Sequence, residues 1–335
     1  MGFLSRDAPA ALRAGVSVAT PLLVVLLIDR PHWSMYAAFG AFTSLYGRTR
    51  FGAERFAMQS GAALALVTAV LLGVLTSVLT ARTWLAVLIA ALIAGAGTVL
   101  ATVAEWHPPG ALFLVFAFGA VASVPHRLAD LPAAVAVAAA SAVFSLLVAN
   151  ARSLRAVRPR AAPTAEFQPL DVRVKLQRAM PSALSTSVAA LVAGTIATGF
   201  GIGHPYWATV AAVAPLAARG RSAQLVRAAH RIAGTLGGLL LAALILAPGF
   251  GPYPAVAVLA VLQVAAELAV GRNYGVAMLF ITPLALLMNQ VAAPRPMADL
   301  LGDRGLETLI GGAVACLVIL AAHQLTKPHP KPAEP

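Results

Sequence analysis

Four residues able to exchange a proton, Glu267, Glu307, Glu105 and His204, lie within or beside long apolar runs of this sequence. Eight further side chains are suited to holding an anion or a flat ring: Trp33, Tyr206, Trp207, Arg221, Arg231, Asn273, Tyr274 and Thr282. An ionisable group inside lipid costs a few kcal/mol, and so it usually faces a cavity or a partner. Carboxylates or imidazoles that change charge, placed near guanidinium and aromatic groups, can carry an organic anion and couple its passage to protons. Glu267 is the best coupling candidate, because it lies within the run 253–270 rather than at a clear end. Each residue also has a plainer reading. Glu267 can neutralise Arg272, Arg221 can anchor topology at the head groups, and Tyr206 and Trp207 can be interfacial belt residues.

The elements that must position these groups are membrane helices. The sequence is 60% hydrophobic and 11% charged, with a mean hydropathy of +0.84. Soluble chains average about 45–50% apolar and about 25% charged. An all-α integral membrane protein is therefore expected. Apolar runs stand at about 10–28, 33–46, 57–80, 83–104, 109–124 and 131–150, then at 180–200, 205–218, 225–247, 253–270, 274–291 and 305–326. These predict about twelve transmembrane helices in two parallel six-helix repeats, 1–150 and 180–326. Between them, 151–179 reads as a basic, Pro-containing cytoplasmic linker, and 327–335 as a disordered cytoplasmic tail.

The repeat is clearest in two stretches. His32 and Trp33 open a short apolar segment that stops at Gly47, Arg48 and Thr49. His204 and Trp207 open another that stops at Gly220, Arg221 and Ser222. At 14 residues, 33–46 and 205–218 each cover only about 21 Å as helix. Charge argues that they cross nonetheless. With the amino terminus inside, nineteen Lys and Arg fall on the inner side and five on the outer, the bias of a bacterial-type cytoplasmic membrane protein. If neither short segment crossed, seven arginines would be misplaced. Both termini are expected in the cytoplasm. The run after residue 10 lacks a small-x-small cleavage site, so it reads as a helix and not as a leader.

The net charge of +12 sits between apolar runs and so points to topology, not to nucleic acid. The single Cys316 permits no intrachain disulfide. No phosphate loop, His/Cys metal cluster or nucleophile elbow is present, so neither an enzyme nor a cofactor nor a bound metal is expected. The expected partners are the bilayer and a small organic anion, with oligomeric state left open.

One further pattern is family-like. Tyr206-Trp207 opens a short helix, and Arg231-x-x-Gly234-Thr235-x-x-Gly238 follows in the next. Asn273-Tyr274 precedes the fifth helix of this half, and Thr282-Pro283 lies within it. Arg304-x-x-Glu307-Thr308-x-Ile310-Gly311 opens the sixth. In this order, residues 204–283 and 304–311 resemble the membrane domain of the fusaric acid resistance (FUSC-like) family. The first half keeps Trp33, Gly47-Arg48, Arg55 and Gly61, but has Trp106-His107-Pro108-Pro109 in place of Asn-Tyr and lacks Thr-Pro. The resemblance implies proton-driven export of aromatic or other weak organic acids. A more distant similarity is to the plant aluminium-activated malate channels. The competing readings are an anion channel and a non-transporting scaffold for an envelope complex. Pro283 is expected to break its helix and free carbonyls for a ligand.

Overall fold

The computed structural model describes residues 4–155 and 172–325, and these are helical with no strand. The first half contains α1 (Leu4–Leu27), α2 (Ser34–Ala41), α3 (Gly52–Ser77), α4 (Arg82–Val103), α5 (Leu112–Ser123) and α6 (Leu131–Arg155). The second contains α7 (Val172–Gly199), α8 (Tyr206–Leu216), α9 (Arg221–Leu246), α10 (Pro252–Val270), α11 (Tyr274–Ala292) and α12 (Met297–Leu325). Each expected apolar run thus holds one helix. Among the described residues nine helices are long and apolar enough to cross a membrane; α2, α5 and α8 are shorter.

Three differences from expectation have local causes. The end of the expected linker, 172–179, is the first two turns of α7, because its Leu, Arg, Lys, Gln and Ala residues favour helix while Arg173, Lys175 and Arg178 keep it from reading as an apolar run. The rest of it, 156–171, lies outside the described residues, as does the expected tail, 327–335. Helix α5 begins only at Leu112, after Pro108, Pro109 and a left-handed Gly110. Helix α11 runs unbroken through Pro283, so the expected interruption is not there.

The three short helices occupy the interior. All eight residues of α2 and all eleven of α8 are buried, as are Leu114 to Ala122 of α5. The long helices surround them and turn apolar side chains outward, such as Leu64, Leu147, Leu240 and Leu317. In the first half α1 packs on α2, α6 on α2 and α3, and α3 on α5. In the second, α7 packs on α8, α12 on α8 and α9, and α9 on α11. Between the halves α4 meets α7, α10 meets α1, α5 meets α8 and α11 meets α2.

Small residues set these distances. A Cβ on Gly238 of α9 would stand 2.7 Å from the Thr282 Cβ of α11, and one on Gly311 of α12 would collide with the Ala208 carbonyl of α8.

Candidate functional site

A cavity of about 570 Å³ lies between the halves, walled by α5, α8, α9, α10, α11, α12 and the loop after α2. Along α11 it runs from Tyr274 to Met288, fourteen residues or about 21 Å of helix. Its wall is mostly apolar and aromatic, with Phe42, Phe113, Phe116 and Trp207. Four arginines, Arg48, Arg227, Arg231 and Arg304, face it against one carboxylate, Glu267.

Arg231 and Arg304 are the most deeply placed. They are 3% and 1% exposed. Arg231 donates from Nη1 to the Tyr274 hydroxyl at 2.8 Å, while its Nε has no hydrogen-bond partner among the described residues. Arg227, one turn earlier in α9, lies over the Tyr274 ring at 4.2 Å. Arg304 lies over the Trp207 indole at 3.8 Å, and its Nε and Nη1 bond to nothing described. A guanidinium in the middle of a membrane helix costs about 2.5–3.5 kcal/mol. A desolvated cation–π contact returns up to about 2 kcal/mol, and the Glu307 carboxylate three residues on offsets part of the Arg304 charge, while no carboxylate among the described residues stands beside Arg231 on the cavity wall.

Arg304 and Glu307 share a face of α12, yet no ion pair joins them. Neither Glu307 oxygen accepts a well-formed hydrogen bond, although the His204 backbone amide is nearby. Glu307 is fully buried and does not line the cavity.

At one end the cavity is latched between the halves. Arg48 Nη1 donates to the Glu267 carbonyl at 2.8 Å and stands 3.7 Å from the Glu267 carboxylate. The Gly47 N–H donates to the His107 carbonyl at 2.8 Å, which brings His107 to the same mouth. Burial, then Arg48 and Arg50, hold the His107 pKa below its ordinary value.

At the other end the wall is closed by packed rings. Tyr206 stacks on Trp207 at 4.9 Å, and Phe116 leans on Trp207 at 4.8 Å. Behind them the Asn289 amide donates to the Tyr206 hydroxyl at 3.3 Å. Outside these, Arg295 donates to His204 Nδ1 at 2.6 Å and lies 3.5 Å from Asp303. Burial first, and then Arg295, push the His204 pKa down to about 4. The same surroundings favour the neutral imidazole of His204.

The structure brings Trp207, Arg231, Tyr274 and Glu267 together in the cavity, and sets the other sequence candidates elsewhere. Trp33 sits beneath Arg30 with His32 against its edge. Arg221 is exposed at the start of α9. Asn273 caps α11, its Oδ1 accepting from the Gly275 and Val276 amides. Thr282 is wholly buried against Gly238. Glu105 pairs with Lys175 at 2.8 Å on the rim of a separate groove between α3 and α4, and Lys175 lowers its pKa.

Arg48, His107, Arg227, Gln263 and Arg304 were not singled out as site residues. Only Arg304 carries a signal in the sequence, its i, i+3 spacing to Glu307 at the start of the last apolar run.

Residues 189–318 match the model of a family described as fusaric acid resistance protein-like. The stretches that carried the resemblance, 204–283 and 304–311, fall inside that match. So do Trp207, Arg231, Glu267, Tyr274 and Arg304. No curated protein and no solved structure matches the chain.

Proposed function

We propose, from the fusaric acid resistance-like character of residues 189–318 and the charge of the central cavity, that the protein is a secondary transporter of small organic acids. It is not an enzyme. Aromatic carboxylates are its substrates, and it exports them across a cytoplasmic membrane in exchange for protons. One observation carries this reading: two almost fully buried arginines, each with guanidinium nitrogens that no described residue satisfies, line a cavity walled by aromatic rings. A carboxylate placed between Arg231 and Arg304 supplies opposing charge, and the aromatic wall of Phe42, Phe113 and Phe116 lies beside its ring.

Two parallel six-helix repeats fit alternating access around such a cavity. Their support is that the pairings α1–α2, α2–α6, α3–α5 and α3–α6 recur six helices later, as do the contacts between the halves. With both termini in the cytoplasm, the Arg48–Glu267 latch stands at the inner mouth and the Tyr206–Asn289 contact at the outer closure. Glu267 is the coupling residue: it is the carboxylate among the cavity-lining groups, and its protonation removes the negative charge that faces Arg48 across the mouth. Glu307, behind the wall, offsets the charge of Arg304.

The test is flux into liposomes that carry the purified protein, using aromatic acids and an imposed pH gradient. Saturable flux above empty vesicles is expected; its absence for every acid tried would remove the proposal. An anion channel is the second reading, favoured by the excess of arginine over carboxylate in the cavity. Discrete conductance steps in planar bilayers would select it, and slow saturable exchange would select the carrier.

A further inference from the structure

We infer that Gln263 reads a second, uncharged polar group on the transported acid, remote from its carboxylate. This rests on the transporter reading above. Gln263 lies in α10 one helical turn from Glu267, about 6 Å along the helix and further from the Arg48 end. It is 3% exposed and lines the cavity.

Other buried side-chain amides have partners, although the Asn150 Oδ1 has none. Gln59 bonds to the Tyr46 carbonyl and to Asn150, and Asn289 to Tyr206 and the Ala285 carbonyl. Gln263 makes no hydrogen bond to any described residue. Its two donors and its carbonyl oxygen are left for whatever enters the cavity. Unlike the Arg304 Nε and Nη1, this amide is not sealed from the cavity, whereas a leucine would fill the same place with no polar group to present.

Position defines what the amide can meet. Helix α10 packs on α1 and α11, whereas α9 packs on α11 and α12. Gln263 therefore belongs to a different wall from Arg231 and Arg304. An acid whose carboxylate is held by the arginines of α9 and α12 can present another group of its skeleton to Gln263 on α10. A second carboxylate there would face Glu267 one turn away and be repelled. A hydroxyl or a ring nitrogen fits, because the amide can donate or accept. An unsubstituted ring, or a methyl in place of the hydroxyl, leaves the amide unpaired, which is the kind of mismatch that proteins discriminate strongly.

The experiment compares initial flux in proteoliposomes for the hydroxybenzoate isomers and their methyl isosteres, using the full chain and Gln263→Leu. Wild type is expected to favour at least one hydroxybenzoate over its methyl isostere by roughly tenfold in kcat/KM. Gln263→Leu is expected to bring that ratio close to one, by slowing the hydroxylated acid while the methyl isostere is unchanged or faster. A merely structural role would slow both acids alike and leave the ratio as it was. An unchanged ratio, or a wild type with no preference for any isomer, overturns the inference while leaving the transporter reading intact. No flux of any acid in wild type overturns both. Gln263→Met, close in length to glutamine, replaces leucine if that variant does not yield monodisperse protein.

Discussion

Replacing Arg304 with methionine removes the charge that α12 presents to the cavity and keeps most of the side chain's length. Burying the guanidinium costs about 2.5–3.5 kcal/mol, and the Trp207 contact at 3.8 Å returns up to about 2. Its Nε and Nη1 have no hydrogen bonds to lose. On these two figures alone the ligand-free protein would fold as well as wild type, or be more stable by about 1 kcal/mol, the difference between them. Glu307 is then left without an opposing charge, so Arg304→Met combined with Glu307→Gln provides the matched comparison. A bound carboxylate, in contrast, loses a charge-assisted hydrogen bond worth about 1.5–3 kcal/mol, which weakens binding roughly 10- to 150-fold. Thermal melts in detergent, with and without an aromatic acid, measure both quantities. The predicted pattern is an unchanged or raised melting temperature together with loss of the ligand-induced rise. A steep drop in melting temperature with ligand binding intact would show Arg304 to be a structural strut and refute this reasoning.

Three further outcomes are expected. Glu267→Gln should leave the protein folded and still able to exchange one acid for another, while flux loses its dependence on a pH gradient; gradient-driven transport at the wild-type rate would exclude Glu267 from coupling. His204 has a folded-state pKa near 4 against an ordinary value of 6.5, so the unfolded chain binds the extra proton first. Its contribution to stability is present above pH 6.5 and is lost as pH falls towards 4, about 3 kcal/mol in all. Melting curves from pH 7.5 to 4 should show this decline, and His204→Gln should flatten it. Glu105→Gln alters an ion pair in a separate groove and is expected to leave flux and its pH dependence unchanged. A slowed or pH-shifted flux would tie that groove to transport.

Most of the helical layout was legible because membrane helices announce themselves by apolar length. What escaped was polar helix and local stereochemistry. The basic start of α7 looks like linker to any hydropathy argument, and Pro108, Pro109 and Gly110 shorten α5 without changing its apolarity. Pro283 looked like a break, but the helix runs through it within a buried interior. The site was legible in part for the same reason. Glu267, Arg231 and Tyr274 drew notice as polar groups in apolar context, and they share one cavity. Arg48 and Arg227 did not, since the charge bias at membrane surfaces explains such arginines equally well. Asn273 is expected among the polar ligand groups, and its Oδ1 also caps α11, a role set by backbone geometry that spacing does not reveal. Gln263 carried no signal in the sequence, because a lone amide in an apolar run is as often packed as it is presented.

The central claim is that an organic anion sits in the cavity between Arg231 and Arg304. The most direct measurement is to locate a bromine-substituted aromatic carboxylate bound to the full-length protein by its anomalous scattering. The account predicts a bromine peak inside the cavity walled by Phe116, Trp207 and Met278, with the carboxylate density at the two arginines. Bromine in the α3–α4 groove beside Lys175 and none in the cavity would contradict it.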